Sequence, residues 1–138
     1  MKEPYWFTEE EVLALHDLML ANYGGASGVR DASMLSSALS RPRQLFHYDS
    51  PDLAKMAAAY AFGVVRNHPF VDGNKRTGFM LAAGFIERNG GEFIAPEAEA
   101  VIQTLSLAAG QATEADYARW LAGASQRPAK RGRSPRSR

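Results

Sequence analysis

One run of the chain, His68-Pro69-Phe70-Val71-Asp72-Gly73-Asn74-Lys75-Arg76-Thr77, gathers a base, a carboxylate, a Gly-Asn turn and two cations. Those are the parts needed to handle a phosphate, because backbone N–H groups and positive charge converge on an anion where a glycine turn opens a helix. Imidazole titrates near ~6.5, so a histidine at position 68 can take a hydroxyl proton at cellular pH. Asp72 is a hard oxygen ligand of the kind that holds Mg²⁺ together with waters and substrate phosphates. Gly73 lets the backbone approach a ligand closely. Asn74 tolerates left-handed backbone and offers an amide to a phosphate oxygen. Lys75 supplies a compact charge and Arg76 a planar fork that matches phosphate oxygens. Pro69 and Phe70 hold the loop, the ring serving as an apolar anchor beneath it, and Thr77 is expected to pack or bond within the helix that follows.

The elements that must position this run are helices. Thr8 and Glu11 form a capping box that opens a helix to about Asn22, with Val12, Leu15 and Met19 on one face, and Gly24-Gly25 ends it. Asp31 can cap a short second helix through Ser40, stopped by Arg41-Pro42. Residues 43 to 50, with Phe46, His47 and Tyr48, read as an irregular loop or small hairpin. Ser50-Pro51 then starts a helix to Asn67, with Leu53, Met56, Ala57, Tyr60, Ala61 and Val64 in helical register. The stretch from 75 to 89 is apolar around much of its circumference, which predicts a helix at the centre of the domain. Its electropositive N-terminus then carries the Gly73-Asn74 turn. Two cations there are electrostatically disfavoured unless an anion joins them. Asn89-Gly90-Gly91 ends this helix, and two more are expected from Pro96 to Ala109 and from Thr113 to Ala122. His16, in the first helix, and His47 carry no metal-ligand pattern. The fold class predicted is an all-α bundle around a buried central helix, with at most a short hairpin or flap.

Bulk properties bound the function classes. The chain has 138 residues, the length of one domain, and enough to bury a real core without staples. It has no cysteine, which removes disulfides and thiolate metal sites from consideration. Met1-Lys2-Glu3-Pro4 lacks the apolar stretch of a signal peptide, and the longest apolar run, Ala57 to Val65, is far short of the ~18 residues a membrane span requires. A cytoplasmic protein without a membrane partner is expected. The net charge of +1 hides an asymmetry: Arg127, Lys130, Arg131, Arg133, Arg136 and Arg138 lie at the end with no acid among them, leaving residues 1–126 at −5. Residues 1–124 are expected to form the domain and 125–138 a disordered basic tail, which cannot bury enough surface to offset its ordering entropy. Such a tail could make weak contact with nucleic acid.

The run from His68 to Thr77 resembles the motif of the Fic/Doc superfamily, in which a His, a Phe, an acidic residue, Gly-Asn and an Arg recur in this order. It looks like the Doc (death-on-curing) branch, because Lys75 stands where AMP-transferring Fic enzymes have Gly and Phe79 where they have a second Arg. A second segment, Gly28-Val29-Arg30-Asp31 through Leu35, Ser37-Ala38-Leu39 and Arg41-Pro42, resembles the N-terminal signature of Doc-like toxins. The resemblance spans roughly residues 5 to 122. It implies a toxin of a toxin–antitoxin module, a protein kinase that transfers the ATP γ-phosphate to a threonine of elongation factor Tu and so stops translation. By similarity His68 is the general base, Asp72 holds Mg²⁺, and Gly73, Asn74, Lys75 and Arg76 bind the nucleotide phosphates. Phe46 and Tyr48 would line a target groove, where relatives carry a target-positioning flap. The chain has no Ser/Thr-x-x-x-Glu-Gly/Asn inhibitory pattern, so control would come in trans from an antitoxin. The alternatives are a Fic-type AMP transferase, which Lys75 and Phe79 oppose, and a non-catalytic interaction module, which the intact motif opposes.

Overall fold

The computed structural model describes residues 2–49 and 51–126. Six helices carry these residues: α1 (Glu9–Tyr23), α2 (Ala32–Asp49), α3 (Leu53–Asn67), α4 (Asn74–Arg88), α5 (Glu97–Ala108) and α6 (Glu114–Ala124). Two short strands, β1 (Glu92–Phe93) and β2 (Ser125–Gln126), pair antiparallel, Glu92 opposite Gln126. The all-α expectation holds. Ser125 and Gln126, expected in the tail, thus pair with β1, and the tail from Arg127 onward lies outside the described residues.

Local sequence explains most helix boundaries. Thr8 and Glu11 form the capping box of α1, the Thr8 hydroxyl accepting from the Glu11 N–H and the Glu11 carboxylate from the Thr8 N–H. Thr113 and Asp116 do the same for α6. Asp31 caps α2 by accepting from the Met34 N–H; the hydrogen bond from the Ser33 hydroxyl first, and this cap bond second, hold its carboxyl below its ordinary value. Helix α3 starts after Asp52, which accepts from the Lys55 N–H, so Pro51 precedes the cap and is not the first helical residue.

Two expectations are overturned. Helix α2 does not stop at Arg41-Pro42: it runs through Pro42 to Asp49, so the loop or hairpin expected over 43–50 is helical up to that residue. An interior proline costs a helix about 3 kcal/mol. Here the apolar stripe of Leu35, Ala38, Leu39, Pro42 and Phe46 continues past it. Pro42 is buried, and Leu39 and Phe46 pack against the core, Phe46 with its ring 5.9 Å from that of Trp6. Tertiary burial outweighs the local penalty. The central helix, second, is α3 and not the helix expected over 75–89. Ten of the 15 residues of α3 are buried, against eight of 15 in α4, and α3 touches α2, α4, α5 and α6. The alanines at 57, 58, 59 and 61 and Gly63 make it slim enough to be surrounded. Gly63 is required at the crossing with α2, since a Cβ there would stand 2.8 Å from the Ala38 Cβ.

Around this axis Met56, Tyr60, Val64, Leu81, Phe85, Leu107, Tyr117 and Leu121 are fully buried. Trp6 stacks on Phe85 at 5.7 Å on one side of α4, while Phe79, Phe93 and Trp120 form an aromatic cluster on the other. The α3–α4 connection is thereby held at both ends by buried helices.

Candidate active site

The motif run is that connection. Helix α3 ends at Asn67, and His68 takes the left-handed C-cap position with φ 52° and ψ 58°, its N–H donating to the Val64 carbonyl. The chain then runs beside the segment at 28–31: the Arg30 and Asp31 N–H groups donate to the Pro69 carbonyl, and the Val71 N–H donates to that of Gly28. Arg30 adds its side chain, Nε donating to the His68 carbonyl at 2.6 Å and Nη2 to that of Asn67 at 2.8 Å. A cation thus closes the C-terminus of α3. The two segments that carry the resemblance are bonded to each other.

Phe70 is fully buried, as an anchor under the loop should be. Asn74 is buried too, and both ends of its amide bond the Phe70 backbone, so this side chain braces the loop and does not face a ligand. The expectation that its amide meets a phosphate is corrected here; only its backbone N–H is available. Gly73 turns through φ 79° and ψ 15° into α4 without giving a side-chain cap. The N–H groups of Asn74, Lys75 and Arg76 consequently have no partner among the described residues, and no acidic side chain sits in the first turn.

His68, Val71, Asp72, Gly73, Asn74, Lys75 and Arg76 surround one pocket of about 260 Å³. Every site residue expected from the sequence is therefore in one place, apart from the two expected to line the target groove. Phe46 is turned to Trp6, and Tyr48 is exposed on the last turn of α2; neither lines this pocket. Lys75 and Arg76 are exposed and belong to none of the ion pairs among the described residues. A second pocket, of about 520 Å³, shares His68 and Lys75 with the first and is otherwise walled by Ile102, Leu105, Ser106, Ala108, Ala109 and Gln111. His68 stands at the junction of a cationic pocket and a largely apolar one.

These features meet in a known pattern. The model of the Fic/DOC family matches residues 6–86, more than half of the chain, including both bonded segments. The chain belongs to the Fic/DOC family. Among its relatives are the protein kinase doc of Escherichia phage P1, 37% identical over 90 residues that cover 64% of this chain and 71% of that one. The toxin Doc of Mycolicibacterium smegmatis is 39% identical over 85 residues, 58% of this chain and 65% of that protein. In this member of the Fic/DOC family Phe79 packs against Phe93 and Trp120 and lines neither pocket.

Residues of α1 and the loop after it complete the site, and sequence reasoning missed them. The Ala26 N–H donates to Asp72 Oδ2, and a Cβ on Gly25 would stand 2.9 Å from that oxygen. His16 is bonded to the Asp72 carbonyl, and the Arg76 guanidinium lies 4.0 Å from the centre of the Tyr23 ring. The available signal was the spacing of Val12, His16 and Met19, which puts His16 on the buried face of α1.

Proposed function

We propose that this protein is a Doc-type toxin kinase, transferring the γ-phosphate of ATP to a protein hydroxyl. The observation that carries the reading is the start of α4: three free N–H groups, Lys75 and Arg76 converge on the pocket that His68 borders. That arrangement suits phosphoryl transfer, where catalysis is mostly positioning, charge neutralisation and a base to orient the nucleophile. The N–H groups of Asn74, Lys75 and Arg76 and the two cationic side chains hold the phosphates. His68, shared with the second pocket, takes the proton from the target hydroxyl as the new bond from its oxygen to the γ-phosphorus forms and the bond to the β,γ-bridging oxygen breaks, releasing ADP. The names of the two relatives, a protein kinase and a toxin, support the same assignment.

The family implies Mg²⁺, and the donor set fits it. Asp72 is the one carboxylate of the pocket, and each of its oxygens accepts a single N–H bond, from Gly73 and from Ala26, leaving lone pairs free. No group of three or more His, Cys, Asp or Glu side chains suited to a metal occurs among the described residues. A cation held by one carboxylate, substrate phosphates and water is the habit of Mg²⁺. When bound it would supply charge neutralisation to the phosphates.

The substrate we propose is a threonine of elongation factor Tu, with translation arrested as the consequence, and the setting is the cytoplasm; no helix among the described residues is long and apolar enough to cross a membrane. His68, Asp72, Lys75 and Arg76 are all exposed, so an antitoxin acting in trans can cover them. Label transfer to purified elongation factor Tu and to a bacterial lysate, from ATP labelled at the γ or the α phosphate, tests the reading. Transfer of γ label, lost in His68→Ala, is expected. Transfer of α label would make the protein an AMP transferase, and transfer of neither would end the kinase assignment.

A further inference from the structure

His16 is 2% exposed, and its ring lies flat against that of Phe70, centroids 3.8 Å apart and planes 9° from parallel. Its Nε2 stands 2.8 Å from the Asp72 carbonyl oxygen. A carbonyl only accepts, so Nε2 carries the hydrogen and donates it. We propose that His16 is the positioning residue of the anion pocket: its Nε2–H fixes the Asp72–Gly73 peptide, and through it the direction of the N–H groups that open α4. The inference rests on the phosphate-handling reading of that pocket.

The peptide unit is planar and trans, so holding the Asp72 oxygen fixes the Gly73 N–H on the opposite side. That N–H donates to Asp72 Oδ1 at 2.9 Å, which sets the carboxylate as well. From there Gly73 turns into α4, and the orientation of the Asn74, Lys75 and Arg76 amides follows. The imidazole also walls the turn, since a Cβ on Gly73 would come within 3.6 Å of both its Cδ2 and its Nε2. Leu20 is 3.3 Å from the same point, and the Tyr23 ring lies beneath Arg76. Positions 16, 20 and 23 share one face of α1. This face is the fixed surface against which the motif loop is set, and His16 makes its polar contact.

A buried histidine that was merely satisfied would stabilise the fold without controlling the pocket, and two substitutions separate these roles. His16→Phe keeps a flat ring on Phe70 and removes the donor. His16→Gln keeps a donor and removes the stack. The full chain is titrated with pyrophosphate while the Asn74, Lys75 and Arg76 amides are followed by NMR, and ATP kinetics are measured in the transfer assay. His16→Phe should weaken pyrophosphate binding about ten-fold, the scale of one lost hydrogen bond, and raise KM for ATP more than it lowers kcat. His16→Gln should recover most of the affinity even where its thermal stability is the lower of the two. Wild-type affinity in His16→Phe overturns the proposal, as does His16→Gln binding no better than His16→Phe. Should the wild type ignore pyrophosphate, the phosphate reading fails on its own. The ligand-free spectra then decide the positioning claim: displaced Gly73–Arg76 amides in His16→Phe, restored in His16→Gln, support it, and unmoved amides refute it.

Discussion

Asn74 closes the motif loop on Phe70 with two hydrogen bonds of 3.0 Å, Oδ1 accepting from the Phe70 N–H and Nδ2 donating to the Phe70 carbonyl. One side chain thereby pairs both backbone groups of a buried residue four positions earlier. Without it, two polar groups are left unpaired beneath the loop, and the start of α4 loses its tie to the core.

Asn74→Ala should therefore cost about 1–3 kcal/mol of stability, the range for leaving buried polar groups without partners. In urea the midpoint should fall while the slope stays constant, as for a change in stability alone. Nucleotide affinity should fall with it. An unchanged midpoint would mean that the loop holds its shape without the amide.

His68 occupies left-handed backbone at φ 52°, where a side chain costs roughly 1–2 kcal/mol relative to the right-handed region and glycine costs nothing comparable. His68→Gly and His68→Ala should both abolish transfer, while the glycine variant unfolds at the higher denaturant concentration by about 1 kcal/mol. Equal stabilities would remove backbone strain from the account of this position. Transfer activity in either variant would remove His68 from the chemistry.

How far the sequence reaches is visible in particular residues. The capping boxes at Thr8 and Thr113 and the Asp31 cap are local rules, and they place helix starts to within a residue. The polar residues of the pocket were legible because one short run supplies all of them. The local penalty of Pro42 is visible in sequence, whereas the burial of the stripe from Leu35 to Phe46 depends on a helix elsewhere, so α2 runs on where the sequence predicts a stop. An amide beside a turn looks available to a ligand, but the partner of Asn74 is the backbone of Phe70, which no side-chain pattern reveals. The role of His16 is not legible in sequence, because its partner, the Asp72 carbonyl, lies 56 positions away and is likewise backbone. Local rules gave the helices and the reactive groups, and long-range backbone contacts decided which groups face the ligand.

The glycines of the helices divide by what a methyl group would meet. At Gly78 a Cβ would stand 2.6 Å from Val65 Cγ2 and 3.3 Å from the Ala61 carbonyl, and at Gly63 it would meet the Ala38 backbone at 2.9 Å. At Gly123, in α6, a Cβ would meet nothing within 4 Å among the described residues. Gly63→Ala should destabilise by about 1–3 kcal/mol through overpacking, whereas Gly123→Ala should stabilise by about 0.5–1 kcal/mol through helix propensity. Thermal melts of the two variants should shift in opposite directions, and a shared direction would contradict the packing of α2 on α3.

Thr77 is fully buried, and its hydroxyl has no hydrogen-bond partner among the described residues. Thr77→Val replaces that oxygen with a methyl group of similar size and should raise stability by about 1–3 kcal/mol, the cost of an unsatisfied buried group. Chemical denaturation gives the value directly. A destabilised variant would show that the hydroxyl is satisfied in solution.

Tyr117 is buried between α5 and α6, and its phenol shares a 2.8 Å hydrogen bond with the Thr104 hydroxyl. Burial pushes the phenol up to about 12 from its ordinary value of 10.0, the bond to Thr104 acting weakly in the other direction. The folded protein therefore keeps a proton that the unfolded chain releases between those values. Stability from this group is complete below pH 10.0 and is lost as pH rises toward about 12. Burial raises Tyr60 as well, so Tyr117→Phe should flatten the alkaline decline in part and not wholly. Unfolding free energies measured across that window, with phenolate absorbance as the second probe, check the sign; a decline of the same steepness in Tyr117→Phe would assign the alkaline loss to other groups.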